Sequence, residues 1–233
     1  MLENTQDTSD TQDEQDVKNS LVPEDEEANL ASGATPQLFR QATTSPDAPE
    51  WWSAMETQLN SISELGTYKL VELPAGMNVI GTTWTYRIKH DGNGEITEHK
   101  ARLVAQGFTQ KPGIDFQETF APVARIDSIH LIAGLAASLD WEIHVVDIDS
   151  AFLNSELPNN AKVYVCQPQG FETPGKEHLV WRLRKALYGL KQSGYLWYQK
   201  LKLIVLLLKD QIRSHVLIKD AGDISLLLGI EVT

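Results

Sequence analysis

The stretch from Val145 to Leu153 combines an apolar run, a carboxylate and an aromatic ring. Asp147 follows two valines, and a carboxylate among apolar side chains costs several kcal/mol unless it is paired or binds a metal. A carboxylate at a strand end can hold divalent metal ions for phosphoryl transfer, and Mg²⁺ prefers such hard oxygen ligands. Asp147 is therefore a candidate metal ligand. The alternative is an aspartate that only caps the turn at Ser150.

The same stretch carries two further side chains with open interpretations. Asp149 falls on the face of Asp147 if the strand continues, but we expect it at the bend and facing solvent. Phe152 by default is a core aromatic. Beside a nucleotide, its flat ring could instead pack beneath the sugar and exclude a 2′-hydroxyl.

Cations are concentrated in a predicted hairpin over residues 80–106. Apolar and polar residues alternate on both sides of the turn Asp91-Gly-Asn-Gly94, where Gly and Asn tolerate positive φ. Alternation places four cations on one face of the hairpin: Arg87, Lys89, Lys100 and Arg102.

A second basic segment covers residues 176–202, where a single acid, Glu177, stands among seven bases. Basic side chains neutralise phosphates and aromatic rings stack on bases, so the pattern is compatible with nucleic-acid binding. A solvated charged helix face would produce part of the same pattern. The bases and interleaved aromatics are Lys176, Arg182, Arg184, Lys185, Tyr188, Lys191, Trp197, Tyr198, Lys200 and Lys202.

The surrounding periodicities predict an α+β fold without a regular βαβ repeat. Asp127 or Ser128 is expected to cap a helix reaching Leu139, with Ile129, Ile132, Leu135, Ala136 and Leu139 facing a core. A strand over 142–148 then carries Asp147. The other predicted elements are a helix over 50–64, strands over 68–73, 163–167 and 179–183, and a helix from about Ser193 to Leu208.

The charge is unevenly distributed over the 233 residues. Residues 1–50 hold twelve acids and two bases, whereas the remainder is close to neutral. Residues 1–48 are polar and acidic, which predicts a disordered leader, with order beginning near Pro49. A single cysteine, Cys166, excludes an internal disulfide framework. The acidic N-terminus is not a signal peptide and the longest apolar run, 203–208, is too short to span a bilayer, so we expect an intracellular chain without a membrane partner.

Several segments together resemble the reverse transcriptase domain of copia-type (Ty-copia) retrotransposon polyproteins. They include Lys100-Ala-Arg-Leu-Val-Ala-Gln-Gly-Phe-Thr109, Thr119-Phe-Ala-Pro-Val-Ala124 and Asp147-Ile-Asp-Ser-Ala-Phe-Leu-Asn154. The other matching segments are 52–59, 66–71, 186–193, 197–198, 219–223 and 228–232, and all follow the family's order.

The resemblance implies a right-hand polymerase fold of fingers and palm, with Mg²⁺ as cofactor and an RNA template, a DNA primer and dNTPs as partners. Matched by position, Asp147 becomes the catalytic residue and first metal ligand, and Phe152 lies beneath the incoming sugar. Lys100 and Arg102 meet the triphosphate, and Gln192 touches template and nucleotide. The resemblance and the basic pattern together assign nucleic-acid contacts to Lys89, Arg184, Lys185, Lys191 and Trp197.

Three departures from the family pattern stand out. Thr83 replaces a usual lysine and Tyr195 a usual arginine. The paired aspartates of the family's metal-binding hairpin are absent, because only 21 residues separate Trp197 from Lys219. An internal deletion between about 208 and 219 or an exon-skipping gene model would both give this sequence. Asp220 and Asp223 are three apart rather than adjacent, so we do not expect them to replace the pair.

These departures predict an incomplete palm within a domain over 49–233. With one aspartate remaining, Mg²⁺ would bind weakly, because it dehydrates reluctantly. The missing strands would leave an open sheet edge and an uncovered apolar face. We therefore expect a catalytically inactive reverse transcriptase domain. Two alternatives are a non-enzymatic nucleic-acid-binding remnant and an unrelated acidic interaction protein that acts through residues 1–48.

Overall fold

The computed structural model describes residues 31–215 and the short strand segments 226–227 and 230–231. The predicted α+β class is confirmed in this part of the chain. Residues 1–30, Asp220 and Asp223 lie outside the described residues. The elements are α1 (Phe39–Thr44), α2 (Ala48–Glu64), β1 (Tyr68–Val71), β2 (Val79–Ile80), β3 (Thr82–His90), β4 (Ile96–Ala105), α3 (Ile126–Ser138), β5 (Tyr164–Val165), β6 (Val180–Leu183), α4 (Ser193–His215), β7 (Leu226–Leu227) and β8 (Ile230–Glu231).

Helix α2 forms where the sequence predicts it. Pro49 occupies the first turn, where its missing N–H costs no hydrogen bond. The helix ends at Glu64, and Gly66, two residues later, has a φ of 63° that suits a residue without a side chain. Gly66 N–H donates to the Ser63 carbonyl and Thr67 N–H to the Ile62 carbonyl, the two bonds of a Schellman motif.

Strands β3 and β4 form the predicted antiparallel hairpin. Arg87 pairs with Lys100 and Thr85 with Arg102, which fixes the register. The Asp91 carboxylate accepts hydrogen bonds from the backbone N–H groups of Asn93 and Glu95, both at 2.9 Å. An aspartate that bonds its own turn in this way closes the loop without a tertiary contact.

A four-stranded sheet in the order β1-β6-β5-β2 packs against α2 and the hairpin. β6 runs antiparallel to both β1 and β5, and β2 runs parallel to β5. The core between these layers contains fully buried side chains from α2, β4, β5 and the turn after β6. Examples are Met55, Ile62, Leu103, Val165 and Leu187.

The prediction that order begins near Pro49 is wrong. α1 already packs Ala42, which is fully buried, beside Trp51 and Ile88. Phe39 makes an edge contact with Trp52, with ring centroids 5.8 Å apart. These few apolar residues gain enough burial to hold a short helix, although the surrounding composition is polar.

The segment expected to carry Asp147 as a buried strand also differs from prediction. Residues 141–148 form no strand and are all exposed, with Val145 91% and Val146 80% accessible. Among the described strands none pairs with this segment. A strand without a partner gains no ladder hydrogen bonds, so the apolar run alone does not create one.

Helix α3 exists as predicted, but its expected core face is largely exposed. Ala136 is buried, whereas Ile129 and Ile132 are exposed. Leu139, just beyond the helix, is also exposed. Neither Asp127 nor Ser128 caps the helix, because Arg125 occupies the N-cap position. The apolar face that the sequence predicts to pack against a core is therefore open on this helix.

Helix α4 begins at Ser193 as predicted and continues to His215, beyond the expected end at Leu208. Its middle turns expose a series of aliphatic side chains. They are Leu201, Leu203, Val205, Leu206, Leu207 and Leu208. Within the part of the chain that the structure describes, no helix is long and apolar enough to cross a membrane.

Candidate nucleic-acid and nucleotide interface

The four predicted cations lie on one face of the hairpin, here called the cation face (Arg87, Lys89, Lys100 and Arg102). The cross-strand register places Arg87 opposite Lys100. Lys89 forms a salt bridge with Glu98, which also lies on this face. The hydrogen bond from Lys89 is the main cause of a lowered Glu98 pKa, and the charges of Lys89, Lys100 and Arg102 add to the effect. Glu98 therefore stays ionised and offsets one positive charge of the face.

Tyr188 connects two residues that the sequence assigns to nucleotide binding. The Arg102 guanidinium carbon lies 5.7 Å from the centroid of the Tyr188 ring, within the range of a cation–π contact. Phe152 makes an edge contact with the same ring, at 5.2 Å between centroids. Three separate chain segments thus meet at one partly exposed aromatic ring.

The turn that carries Tyr188 is bound to the end of β4 through the backbone. Ala105 N–H donates to the Tyr188 carbonyl at 2.8 Å. The next residue, Gly189, has a φ of 86°, and a Cβ added there would lie 2.1 Å from the Ala105 carbonyl oxygen. A Cβ on Gly107 would lie 2.1 Å from the Gly189 carbonyl oxygen. Both positions require glycine for this close approach.

Gln192 is buried within a network of amide groups rather than presented at the surface. Its side-chain carbonyl accepts a hydrogen bond from Gln110 at 3.0 Å, and its amide donates to the Asp115 backbone carbonyl at 3.1 Å. Gln110 in turn accepts from the Lys191 backbone N–H at 2.8 Å. The observed role of Gln192 is to position the turn, and its predicted contact with template and nucleotide stays a prediction.

The other predicted nucleic-acid residues lie directly after β6, in the turn and in α4. Arg184 is exposed, and its backbone N–H donates to the Thr67 carbonyl at 2.8 Å. Lys185 is half-buried beside it. Lys191 is exposed, with its Nζ 5.0 Å from the centroid of the Phe116 ring. Trp197 is half-buried on α4.

A cleft of about 840 Å³ opens between α2 and the first half of β4. Lys100 and His99 line it from the strand, and Glu50 from the helix. Asp149 and Ser150 close one side. Asp149 is exposed at the turn, as predicted. Lys100 and Asp149 therefore line the same cleft, and Asp149 lies two residues beyond Asp147.

Residues 65–230 match the reverse transcriptase (RNA-dependent DNA polymerase) family. The chain belongs to this family. It is 41% identical over 79% of its length to the retrovirus-related Pol polyprotein from transposon TNT 1-94 of Nicotiana tabacum. Over 75% of its length, the chain is 37% identical to the retrovirus-related Pol polyprotein from transposon RE1 of Arabidopsis thaliana. The resemblance to copia-type polyproteins is thereby confirmed.

The chain spans 14% of the length of the TNT 1-94 polyprotein and 12% of the RE1 polyprotein. The Ty1-H Gag-Pol polyprotein of Saccharomyces cerevisiae is 33% identical over 53% of this chain and 6% of its own length. No solved structure matches the chain. The family assignment therefore rests on sequence, and the α+β fold is described from this structure alone.

Reverse transcriptases generally use a divalent metal ion, and carboxylate side chains would have to hold it. Asp147 lies in exposed coil, contrary to the buried, cation-requiring carboxylate expected from the sequence. Within 31–215, 226–227 and 230–231, no group of three or more His, Cys, Asp or Glu side chains could hold a metal ion. One exposed carboxylate does not replace the water shell of Mg²⁺, so these residues do not fit the expected cofactor.

The sequence alone does not predict which buried side chains bind Gln192. Gln110 and Asp115 stand more than seventy residues from Gln192, and no local pattern marks them as its partners. The Asp115 carboxylate also accepts hydrogen bonds from Asn78 and the Lys111 backbone N–H, both at 2.7 Å. From the sequence alone, Tyr188 is one of several aromatics interleaved with bases. Its position directly before Gly189 is the signal that could have identified it as part of a tight turn.

Proposed function

We propose that this reverse transcriptase-family chain binds an RNA template paired with a DNA primer, and the phosphates of a dNTP, but does not extend the primer. In this proposal the β3–β4 hairpin belongs to the fingers. Residues 126–148 and α4 belong to a palm that is incomplete between about 208 and 219. The copia-type domain extends over 49–233, with the segment 31–48 packed against it.

Binding is supported by the cation face and its aromatic neighbours. Lys100 and Arg102 are half-buried, so the strand holds the stems of both side chains. Tyr188 and Phe152 extend the surface with rings on which a base or sugar can pack. Cations beside aromatic rings are the combination that single-stranded and duplex nucleic acids favour.

The absence of synthesis is carried by one observation, the exposed position of Asp147 in coil. Two-metal phosphoryl transfer requires ions that clamp the attacking and leaving oxygens. No metal-binding group is found within the described residues, and the family's adjacent aspartates are missing from the sequence. The chain can therefore retain substrate contacts while lacking the catalytic step.

Primer extension on an RNA template, with purified protein and either Mg²⁺ or Mn²⁺, tests the catalytic part. We expect no extension beyond a protein-free control. Metal-dependent extension that is abolished by Asp147→Ala would contradict the proposal and restore Asp147 as a catalytic ligand.

Fluorescence anisotropy with a labelled RNA–DNA duplex tests the binding part. We expect measurable binding in which log Kobs falls linearly with the logarithm of the salt concentration. In Arg102→Gln the slope of this line should become shallower by about 0.9, the contribution of one phosphate contact. Lys176→Gln is the exposed, charge-matched control, because Lys176 lies in the loop between β5 and β6 and is not among the residues assigned to nucleic-acid contact; it should keep the original slope. An equal effect in both variants would show that net charge, rather than the cation face, governs binding.

A further inference from the structure

A second basic site lies on the four-stranded sheet, outside the cation face. Lys69 of β1 and Arg182 of β6 are direct cross-strand partners. Arg184 follows two residues after Arg182, so strand alternation places it on the same side. All three side chains are exposed and line a cleft of about 250 Å³ together with Asn159.

This arrangement is electrostatically unfavourable by itself. Like charges placed directly opposite each other on a sheet destabilise the pair. No acidic residue lines the cleft. Across the described residues, none of the salt bridges involves Lys69, Arg182 or Arg184. Glu156 precedes the lining residue Leu157, yet its carboxylate forms no ion pair with any of these three bases. An anion from outside the protein would therefore relieve the repulsion.

The size and lining of the cleft restrict the kind of anion. Clefts that enclose drug-sized ligands measure about 300–1,000 Å³, so this one suits a smaller group. Two guanidinium groups offer forked donors that match phosphate oxygens, and the lysine adds a point charge. We propose that Lys69, Arg182 and Arg184 form a binding site for a phosphate-type oxyanion.

The chain connects this oxyanion site to the interface described above. Arg184 precedes Tyr188 by four residues, a path of at most about 14 Å of extended chain. A nucleic-acid backbone leaving the cation face could place a phosphate in the cleft, and a free phosphate-bearing molecule could fill it as well. The first source rests on the proposed function, whereas the site itself does not.

Thermal unfolding of the full chain in inorganic phosphate, compared with sodium chloride of equal ionic strength, tests the site. At about ten times the Kd we expect phosphate to raise the Tm by about 3–5 °C. Arg182→Gln and Lys69→Gln should each lose most of this rise, while Lys176→Gln keeps it. In phosphate-free buffer, Arg182→Gln should have a higher Tm than the unsubstituted chain, because the repulsion is removed.

The salt dependence of duplex binding distinguishes the two sources. A slope that becomes shallower by about 0.9 in Arg182→Gln identifies a backbone phosphate. An unchanged slope in Arg182→Gln, together with a phosphate-induced rise in the Tm of the unsubstituted chain that this variant loses, identifies a free phosphate-bearing ligand. A phosphate-induced rise that is equal in Arg182→Gln, Lys69→Gln and the unsubstituted chain would overturn the site. Failure of all variants to bind duplex would reject the proposed function while leaving the thermal result intact.

Discussion

Tyr188 has the central position among the individual residues of the interface. Its ring contacts both the Arg102 guanidinium and the Phe152 ring. Contacts of these two kinds contribute about 0.5–2 and 0.5–1.5 kcal/mol respectively. Each contact is small, but together they fix Arg102 of the cation face relative to the short helical turn Ala151–Asn154. The backbone beneath the ring is also fixed, because Ala105 N–H donates to the Tyr188 carbonyl and Gly189 lies against the end of β4.

Replacing Gly189 by alanine tests that backbone contact. The added Cβ would lie 2.1 Å from the Ala105 carbonyl oxygen and 2.5 Å from Val104 Cγ1, in a backbone with a φ of 86°. We expect Gly189→Ala to lower the free energy of unfolding by about 3–5 kcal/mol. A loss of this size is typical of substitutions that force an atom into occupied space. Urea denaturation followed by tryptophan fluorescence measures it.

Gly76→Ala is the matched control for this substitution. Gly76 has a φ of 76° but no heavy atom within 4 Å of an added Cβ, so it isolates the cost of the left-handed backbone. That cost is about 1–2 kcal/mol. If both substitutions lowered the unfolding free energy equally, the close approach of Gly189 to β4 would be refuted.

The cation face shows what could be predicted at single residues, and Gln192 shows what could not. Alternation along a strand fixes the side on which Lys100 and Arg102 lie, so a short-range rule was sufficient. The partners of Gln192 depend on a loop that returns from residues 110–115, and that return is set by tertiary packing. A side chain's neighbours across such a distance are not encoded in its local pattern.

Among the elements, α3 is the one whose exposed surface contradicts its sequence pattern. Ile132 is 60% exposed on α3, whereas Ile62 is fully buried on α2. We therefore expect Ile132→Ala to change the free energy of unfolding by less than about 0.5 kcal/mol, because alanine also favours the helix. Ile62→Ala should cost about 2–5 kcal/mol through lost burial and a cavity. Chemical denaturation of the two variants provides the comparison.

A large cost for Ile132→Ala, similar to that of Ile62→Ala, would mean that α3 packs into a core. In that case the apolar spacing of Ile129, Ile132 and Leu135 would have predicted the packing correctly. The measurement thus separates a helix that only carries an amphipathic pattern from one that uses it.

The strand predicted over 142–148 failed for a reason at the level of elements. Apolar alternation and a following turn describe the strand itself, but a strand is stable only with a hydrogen-bonded neighbour. Helix α2 and the hairpin were predicted correctly because each satisfies its backbone within its own segment. Short-range patterns therefore identified the self-contained elements, whereas residues 142–148 required a partner strand, and none is present among the described residues.

Across the whole molecule, burial is concentrated in one part of the described chain. The buried cluster draws on α1, α2, the hairpin and residues 153–190, whereas residues 117–148 contribute Ala136 alone to the buried set. Opening of weakly packed regions requires less free energy than unfolding of the core. The two regions should therefore differ in resistance to proteolysis.

Limited chymotrypsin digestion tests this difference. Phe120 and Trp141 are 74% and 62% exposed and lie outside helices and strands, so we expect the first cuts after these residues. Trp181, which is 3% exposed within β6, serves as the internal control. Mass spectrometry of the early fragments should show intact Trp84 and Trp181 bonds. Simultaneous cleavage at Trp141 and Trp181 would instead indicate that the chain opens as a single unit.

The contact between Gly107 and Gly189 has a genetic consequence. Every single-nucleotide missense change in a glycine codon introduces a side chain, and neither position has space for one. In copies of this coding sequence that drift without selection, both codons should accumulate such changes at the neutral rate. Retention of both glycines among divergent copies would show that natural selection still maintains a folded product. Two codons thus report on selection for the fold independently of Asp147 and of any enzymatic assay.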